Sequence, residues 1–214
     1  MLKPLAILTI GMLIGLGGCE SAYYNTMERF GVHKREILVD RVVDARDSQQ
    51  DAQEQFSSAL EQFKSVVAVE PGELEKVYDK LNREFERSEA SAQEIRERID
   101  AIESVADALF DEWSDELQDY TNPALRRDSE QQLKDTKNRY RLLLQAMHKA
   151  EDRLDPVLDT MRDQVLYLKH NLNARAIQSI RGEVVKINQD VDTLLAAMQS
   201  AIAEADAFVK DMRQ

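Results

Sequence analysis

From His33 onwards, apolar residues recur every three or four positions with few interruptions. His33 to Val69 carries Leu38, Val42, Ala45, Ala52, Phe56, Leu60, Phe63 and Val67 at that spacing, which predicts an amphipathic helix. Gln49 is the polar interruption of this stripe, and Glu70-Pro71-Gly72 ends it, since proline and glycine both break helices. A second helix is predicted from Glu73 to Asp119, about 70 Å long at 1.5 Å per residue. Its stripe runs from Leu74, Val77, Leu81 and Phe85 through Ser88, Ala92, Ile95, Ile99, Ile102 and Ala106 to Leu109, Trp113, Leu117 and Tyr120. Steps of three and four alternate, with extra four-residue steps near Leu81 and Trp113. That is a heptad pattern with two stutters, as in an antiparallel coiled coil.

Thr121-Asn122-Pro123 closes the second helix and opens a third, with Asn122 as N-cap and Pro123 at the first helical position. The third stripe comprises Leu133, Tyr140, Leu144, Met147, Leu154, Leu158, Met161, Val165, Leu168 and Leu172. Pro156 predicts either a kink or a restart capped by Asp155, and the unbroken apolar phase favours the kink. A further stripe follows at Ile180, Val184, Ile187, Val191, Leu194, Met198, Ile202 and Phe208. No glycine or proline separates it from the third, so residues 169–175 read as a turn or as continuous helix. A continuous helix would leave about forty residues with an apolar face and no partner. The lengths therefore favour a turn at Asn171 to Asn173, with Asn173 capping the next helix. The expected fold is all-α, an elongated antiparallel coiled-coil bundle of four long helices. A three-helix chain whose long last helix finds its partner in a dimer is the rival.

Charge bears on helix pairing. Asp100 to Asp119 holds eight acids and no base, whereas Arg126, Arg127, Lys134, Lys137, Arg139 and Arg141 follow the turn at residues 121–122. An antiparallel hairpin sets these segments side by side and disfavours other registers. Exposed pairs contribute only about 0–1 kcal/mol each, so the apolar stripes must supply the stability.

The first twenty residues have a different pattern: one base, Lys3, then an apolar run from Leu5 to Leu16, then Gly17-Gly18-Cys19. That run is too short to span a bilayer, which takes about twenty apolar residues, and it fits a secretory signal. Leu16-Gly17-Gly18-Cys19 resembles the lipobox of bacterial lipoproteins, which implies cleavage before Cys19 and acylation of its thiol and new amino group. The plainer alternative is an ordinary secretory signal with an incidental cysteine. The chain then divides into a signal at 1–18, a lipidated N-terminus and tether at 19–32, and a bundle at 33–214. Within the tether, Tyr23, Tyr24, Met27 and Phe30 could share one side of two helical turns, as an aromatic collar at headgroup level or as a first turn packed on the bundle.

Composition agrees with long helices: the 214 residues include 7 Gly and 4 Pro, and 32% are charged. The formal charge of -12 becomes -13 when Lys3 is removed with the signal. Such acidity argues against nucleic acid as a partner and against electrostatic adhesion to anionic lipid, leaving the acyl chains to attach the protein. Cys19 is the one cysteine, so an intrachain disulfide is excluded.

Candidate chemistry is sparse. Di-iron bundles use Glu-x-x-His pairs, but the positions three before His33, His148 and His170 hold Phe30, Gln145 and Tyr167. Glu151 does follow His148 at helical spacing. The acid run at 100–119 suits a solvated face better than a calcium site, because it lacks an Asp-rich loop. No nucleophile elbow or phosphate-cradling glycine loop is present, so no catalytic residue, metal or cofactor is assigned. One locally basic segment, Lys169-His170-Asn171-Leu172-Asn173-Ala174-Arg175 with Arg181 beyond, reads either as helix C-capping with solvated arginines or as a contact for an anionic partner. The candidate partner-binding residues are Lys169, His170, Arg175 and Arg181.

Three longer motifs carry a family resemblance: Tyr23-Tyr24-Asn25 with the run Glu28 to Val42, Asp44-Ala45-Arg46-Asp47, and Leu166 to Ile177. Together with the lipobox they resemble an uncharacterised family of proteobacterial envelope lipoproteins, a domain of unknown function. The resemblance spans the mature chain and implies Cys19 as lipid site, with no activity attached. In lipoprotein sorting an Asp after the cysteine often retains the protein at the inner membrane. Glu20 stands there, which implies the periplasmic face of the outer membrane. The expected role is a non-enzymatic, lipid-anchored rod that binds or spaces envelope components through a protein partner. The alternatives are an envelope enzyme or carrier with a metal or hydrophobic-ligand site inside the bundle, and a self-associating coiled coil.

Overall fold

The computed structural model describes residues 33–66, 73–171 and 174–213, leaving aside the side chains of 174–177 and 179. The described residues form α1 (Lys34–Ser65), α2 (Leu74–Glu116), α3 (Pro123–Glu151), α4 (Leu154–His170) and α5 (Ala174–Met212), with no strand among them. Because α3 and α4 continue one another, these make four rods. Each rod packs against the next in sequence, and α5 returns to α1.

Side-chain contacts fix the register and show that neighbours are antiparallel. Between α1 and α2, Lys34 meets Glu112, Arg98 meets Asp44 and Gln55 meets Glu84. Against α3 and α4, α2 pairs Trp113 with Ser129, Glu103 with His148 and Glu89 with Arg162. Arg35 donates to the Met212 carbonyl and Gln53 to the Leu195 carbonyl, setting α5 along α1. The start of α1, the α2–α3 turn and the end of α5 thus share one end of the bundle. Ser65, Leu74, His170 and Ala174 share the other.

The predicted stripes are what the bundle buries. Leu38, Val42, Phe56 and Phe63 in α1, and Ile95, Ile99 and Ile102 in α2, are almost wholly removed from water. So are Met147, Leu154, Met161 and Leu168 in the third rod, and Ile187, Val191, Leu194 and Met198 in α5. Full burial of each large aliphatic or aromatic side chain contributes about 1.5–3 kcal/mol. The core is wider than the stripes: Val105, Phe110, Leu143, Val157, Ala197, Ala201 and Ala205 are buried too. A helix touching two neighbours buries a third position per heptad beside the coiled-coil seam. Gln49 is buried within this core, and so is Gln164 of α4; the Oε1 atom of each lacks a hydrogen-bond partner.

Three expectations need correction. Neither a kink inside a helix nor an Asp155 cap occurs at Pro156. The break falls at Asp152-Arg153, and α4 begins at Leu154 with Pro156 in its first turn. A proline ring collides with the carbonyl four residues back, here that of Asp152, and gives it no donor. The chain tightens just there, the Arg153 amide reaching the Ala150 carbonyl at 3.1 Å. In the first turn of α4 the missing donor is not needed.

Second, α2 ends at Glu116 and Tyr120 is 40% exposed rather than part of the core. α1 starts opposite Glu112, so among the described residues no part of α1 extends over the far end of the second stripe. Third, the bases that follow the turn do not pair with the acids of α2. Among the described residues, Arg126, Arg127, Lys134, Lys137 and Arg141 make no ion pair; Arg139 pairs with Asp211 of α5 instead. Ser129, Leu133 and Thr136 are the buried positions at the start of α3, and the bases fall on its other stripes.

α4 ends at His170 and α5 begins at Ala174, which excludes the single long last helix. Asn171 leaves helical geometry at φ -136° and ψ 66°, its amide donating to the Leu168 carbonyl and its side chain to that of Tyr167. Residues 172–173, and with them the expected Asn173 cap, lie outside the described residues.

Candidate functional site

The end of the bundle where α1 begins holds polar contacts that tie all four rods together. His33 is extended, and its carbonyl accepts from the amides of Glu36 and Ile37, starting the helix without a side-chain cap. Lys34 follows at once and is only 6% exposed, and its ammonium reaches Glu112 at 3.1 Å. Arg35 bonds the last turn of α5 through the Met212 carbonyl, and Arg139 of α3 meets Asp211 at 3.2 Å. Trp113 is half-buried as an apolar body, and its indole N–H donates to Ser129 Oγ at 2.8 Å. A cleft of about 560 Å³ opens here, lined by Lys34, Arg35, Leu109, Trp113, Tyr120 and Gln132 among others. A smaller depression of about 280 Å³ continues it past Thr136 and Asp211.

A groove of about 640 Å³ runs along α3 towards the tip of the α2–α3 hairpin. Its floor includes Leu117 and Leu133; Arg127, Lys134 and Lys137 line it, with Glu130, Gln131 and Asn138. Asn122 secures the start of α3, its Oδ1 accepting from the amides of Ala124 at 2.9 Å and Leu125 at 3.5 Å, with Pro123 at the first position. Residues 127, 130, 134, 137 and 141 follow the three-and-four spacing of one helical stripe, so the bases lie along one line. Lys137 sits over the Phe110 ring at 5.4 Å and reaches Ser114 Oγ at 3.5 Å. Phe110 in turn packs edge-on against Tyr140, whose hydroxyl is pushed well above its usual range by burial and by Asp107 and Glu103.

Midway along the hairpin, His148 bridges two rods. Its Nδ1 lies 2.9 Å from Glu151 and its Nε2 3.0 Å from Glu103, while Arg96 joins Glu151 and Asp155. The hydrogen bond to Glu151, with that to Glu103, raises the His148 pKa above its ordinary value against a smaller opposing effect of burial. Both ring nitrogens are occupied by carboxylates, so the cluster is an ionic bridge. Among the described residues no three histidine, cysteine or acidic side chains converge as a metal site would need.

The basic residues singled out from sequence occupy the opposite end. Lys169 and His170 are exposed in the last turn of α4, where positive charge complements the helix dipole, and Arg181 is exposed on α5. The Arg175 side chain and Cys19 lie outside the described residues. The depression at this end, about 180 Å³ between α1 and α2, is lined instead by Lys76 and Lys80 with Gln62, Ser65 and Leu81. Sequence reasoning did not single out the α3 groove. Its signal was the spacing 127, 134, 137 and 141, on a different stripe from Leu133, Thr136 and Tyr140.

These features define an all-α protein, a four-rod antiparallel bundle whose polar clefts are concentrated at the end where α1 begins. Residues 23–212 match the model of the family described as protein of unknown function (DUF2959), and the chain belongs to that family. No curated protein matches it.

Proposed function

We propose that the protein is a lipid-anchored, non-enzymatic scaffold of the bacterial cell envelope, held to a membrane through Cys19 and presenting its helical rod to protein partners. The lipobox-like Leu16-Gly17-Gly18-Cys19 carries the membrane half of this reading. The observation that carries the scaffold half is the apolar core, which runs the length of four antiparallel rods and leaves its clefts on the outside. Among the described residues no helix is long and apolar enough to cross a membrane, so a lipid at Cys19 would supply the attachment. The outer membrane facing the periplasm fits Glu20 after the cysteine. α2, with 43 residues, gives a reach of about 65 Å.

Fractionation and intact-mass measurement test this directly. The chain purified from membranes should begin at Cys19 and carry the mass of diacylglycerol plus an acyl chain, and Cys19→Ala should abolish both the mass increment and membrane retention. Crosslinking in cells should then recover protein partners for the native chain that the variant loses. An unmodified Cys19 in membrane-bound protein would end the lipid-anchor reading, and a stoichiometric metal in the purified protein would end the plain-scaffold one.

A further inference from the structure

We infer that the groove along α3, closed at the hairpin tip by Leu117, seats the anionic phosphodiester headgroup of a phospholipid in the membrane to which the protein is tethered. The location, though not the binding chemistry, rests on the lipid-anchor reading above. Three observations carry it. Arg127 and Lys134, with Lys137 beside them, line one groove and make no ion pair among the described residues, in a chain whose formal charge is -12. Acidic residues are abundant on the neighbouring helix, yet Glu130 is the one acid lining the groove, so a cationic pocket persists within an acidic protein. An anion is the complement, and guanidinium and ammonium groups suit phosphate oxygens through charge-assisted hydrogen bonds.

The second observation is the apolar floor of Leu117 and Leu133, which an inorganic anion would leave uncovered and the glycerol and first methylenes of a lipid would cover. The third is position. The groove opens towards the hairpin tip, where Tyr120 is 40% and Leu125 56% exposed, and this is the end from which the chain leads back from His33 to the tether. Tyrosine and leucine beside arginine are the residues that settle at a membrane–water interface. The overall acidity still opposes adhesion of the free protein to an anionic surface. The groove acts once the protein is already held at the surface, and it sets the hairpin tip down on the bilayer.

The test uses the full chain purified in non-ionic detergent, so its outcome does not depend on whether Cys19 carries lipid, which intact mass reads separately. Short-chain phosphatidylglycerol is titrated while following the fluorescence of Trp113, the single tryptophan, one helical turn from Leu117. Saturable binding is expected, at least ten-fold tighter than for phosphatidylcholine of the same chain length. Arg127→Glu with Lys134→Glu should weaken it at least ten-fold with helical circular dichroism unchanged, and Glu130→Gln should tighten it. Equal binding of the two lipids, or none, overturns the inference. So does binding that ignores both variants, or a glutamate oligopeptide that displaces the lipid at lower concentration, which would make the groove a seat for acidic protein.

Discussion

Glu151 and Glu103 each approach one ring nitrogen of His148, and only the imidazolium can donate to both at once. Its pKa is therefore raised in the folded protein above the value of about 6.5 that it has in an unfolded chain. A histidine raised in this way stabilises the fold fully below the unfolded value, while the carboxylates stay ionised, and the contribution is lost as pH rises through the folded value. With the side chain 44% exposed, the bridge belongs with exposed pairs of about 0–1 kcal/mol rather than buried ones. Urea denaturation of the native chain and His148→Gln should show the largest gap below the ordinary histidine value of about 6.5, closing as pH rises well above it. A constant gap would locate the effect in packing instead. The same scale shows what sequence could reveal of the core. Gln49 interrupts its stripe and is visible as a misplaced polar residue. Gln164, equally lacking a partner at Oε1, sits between stripe positions Met161 and Leu168 and becomes conspicuous only when a second neighbouring rod covers it.

At the scale of elements, the ends of helices were legible where one residue type has one physical use. Asn122-Pro123 starts α3 as expected, because an amide oxygen accepts the free N–H groups and proline lacks one at a place where none is needed. Pro156 was legible as a disturbance but not in its position: the ring acts on the carbonyl four residues back, so the break appears upstream of the proline. The α4–α5 boundary carried no glycine or proline and had to be argued from length, since an apolar face of forty residues needs a partner. Gly182 is the converse, a glycine inside a helix with no turn. An added Cβ there would meet nothing within 4 Å, and the position is exposed on α5. Gly182→Ala should raise stability by about 0.5–1 kcal/mol, read as a higher denaturation midpoint at unchanged slope. An unchanged or lower midpoint would mean that Gly182 serves something other than the helix.

For the whole molecule, α2 and the broken rod α3–α4 set a long axis of about 65 Å against a width of two helices. Small-angle scattering should give a radius of gyration clearly above the roughly 17 Å of a compact chain of 214 residues. A value near that figure would contradict the extended bundle. Less of the candidate site than of the fold was legible at this scale. The segment Lys169 to Arg181 stood out because bases cluster in sequence, whereas Arg127, Lys134 and Lys137 converge only through helical spacing along the α3 groove. An even number of rods has one more consequence. The antiparallel order brings the beginning of α1 beside the end of α5, with Arg35 fastened to the Met212 carbonyl. Tension between the N-terminal tether and anything gripping the last turn of α5 would part these two helices one contact at a time, like a zipper. The same tension between the tether and the far turns would have to slide α1 along both neighbours at once. The bundle is thus mechanically weak in one loading direction and strong in the other, and a partner seated at the far turns would pull along the strong one.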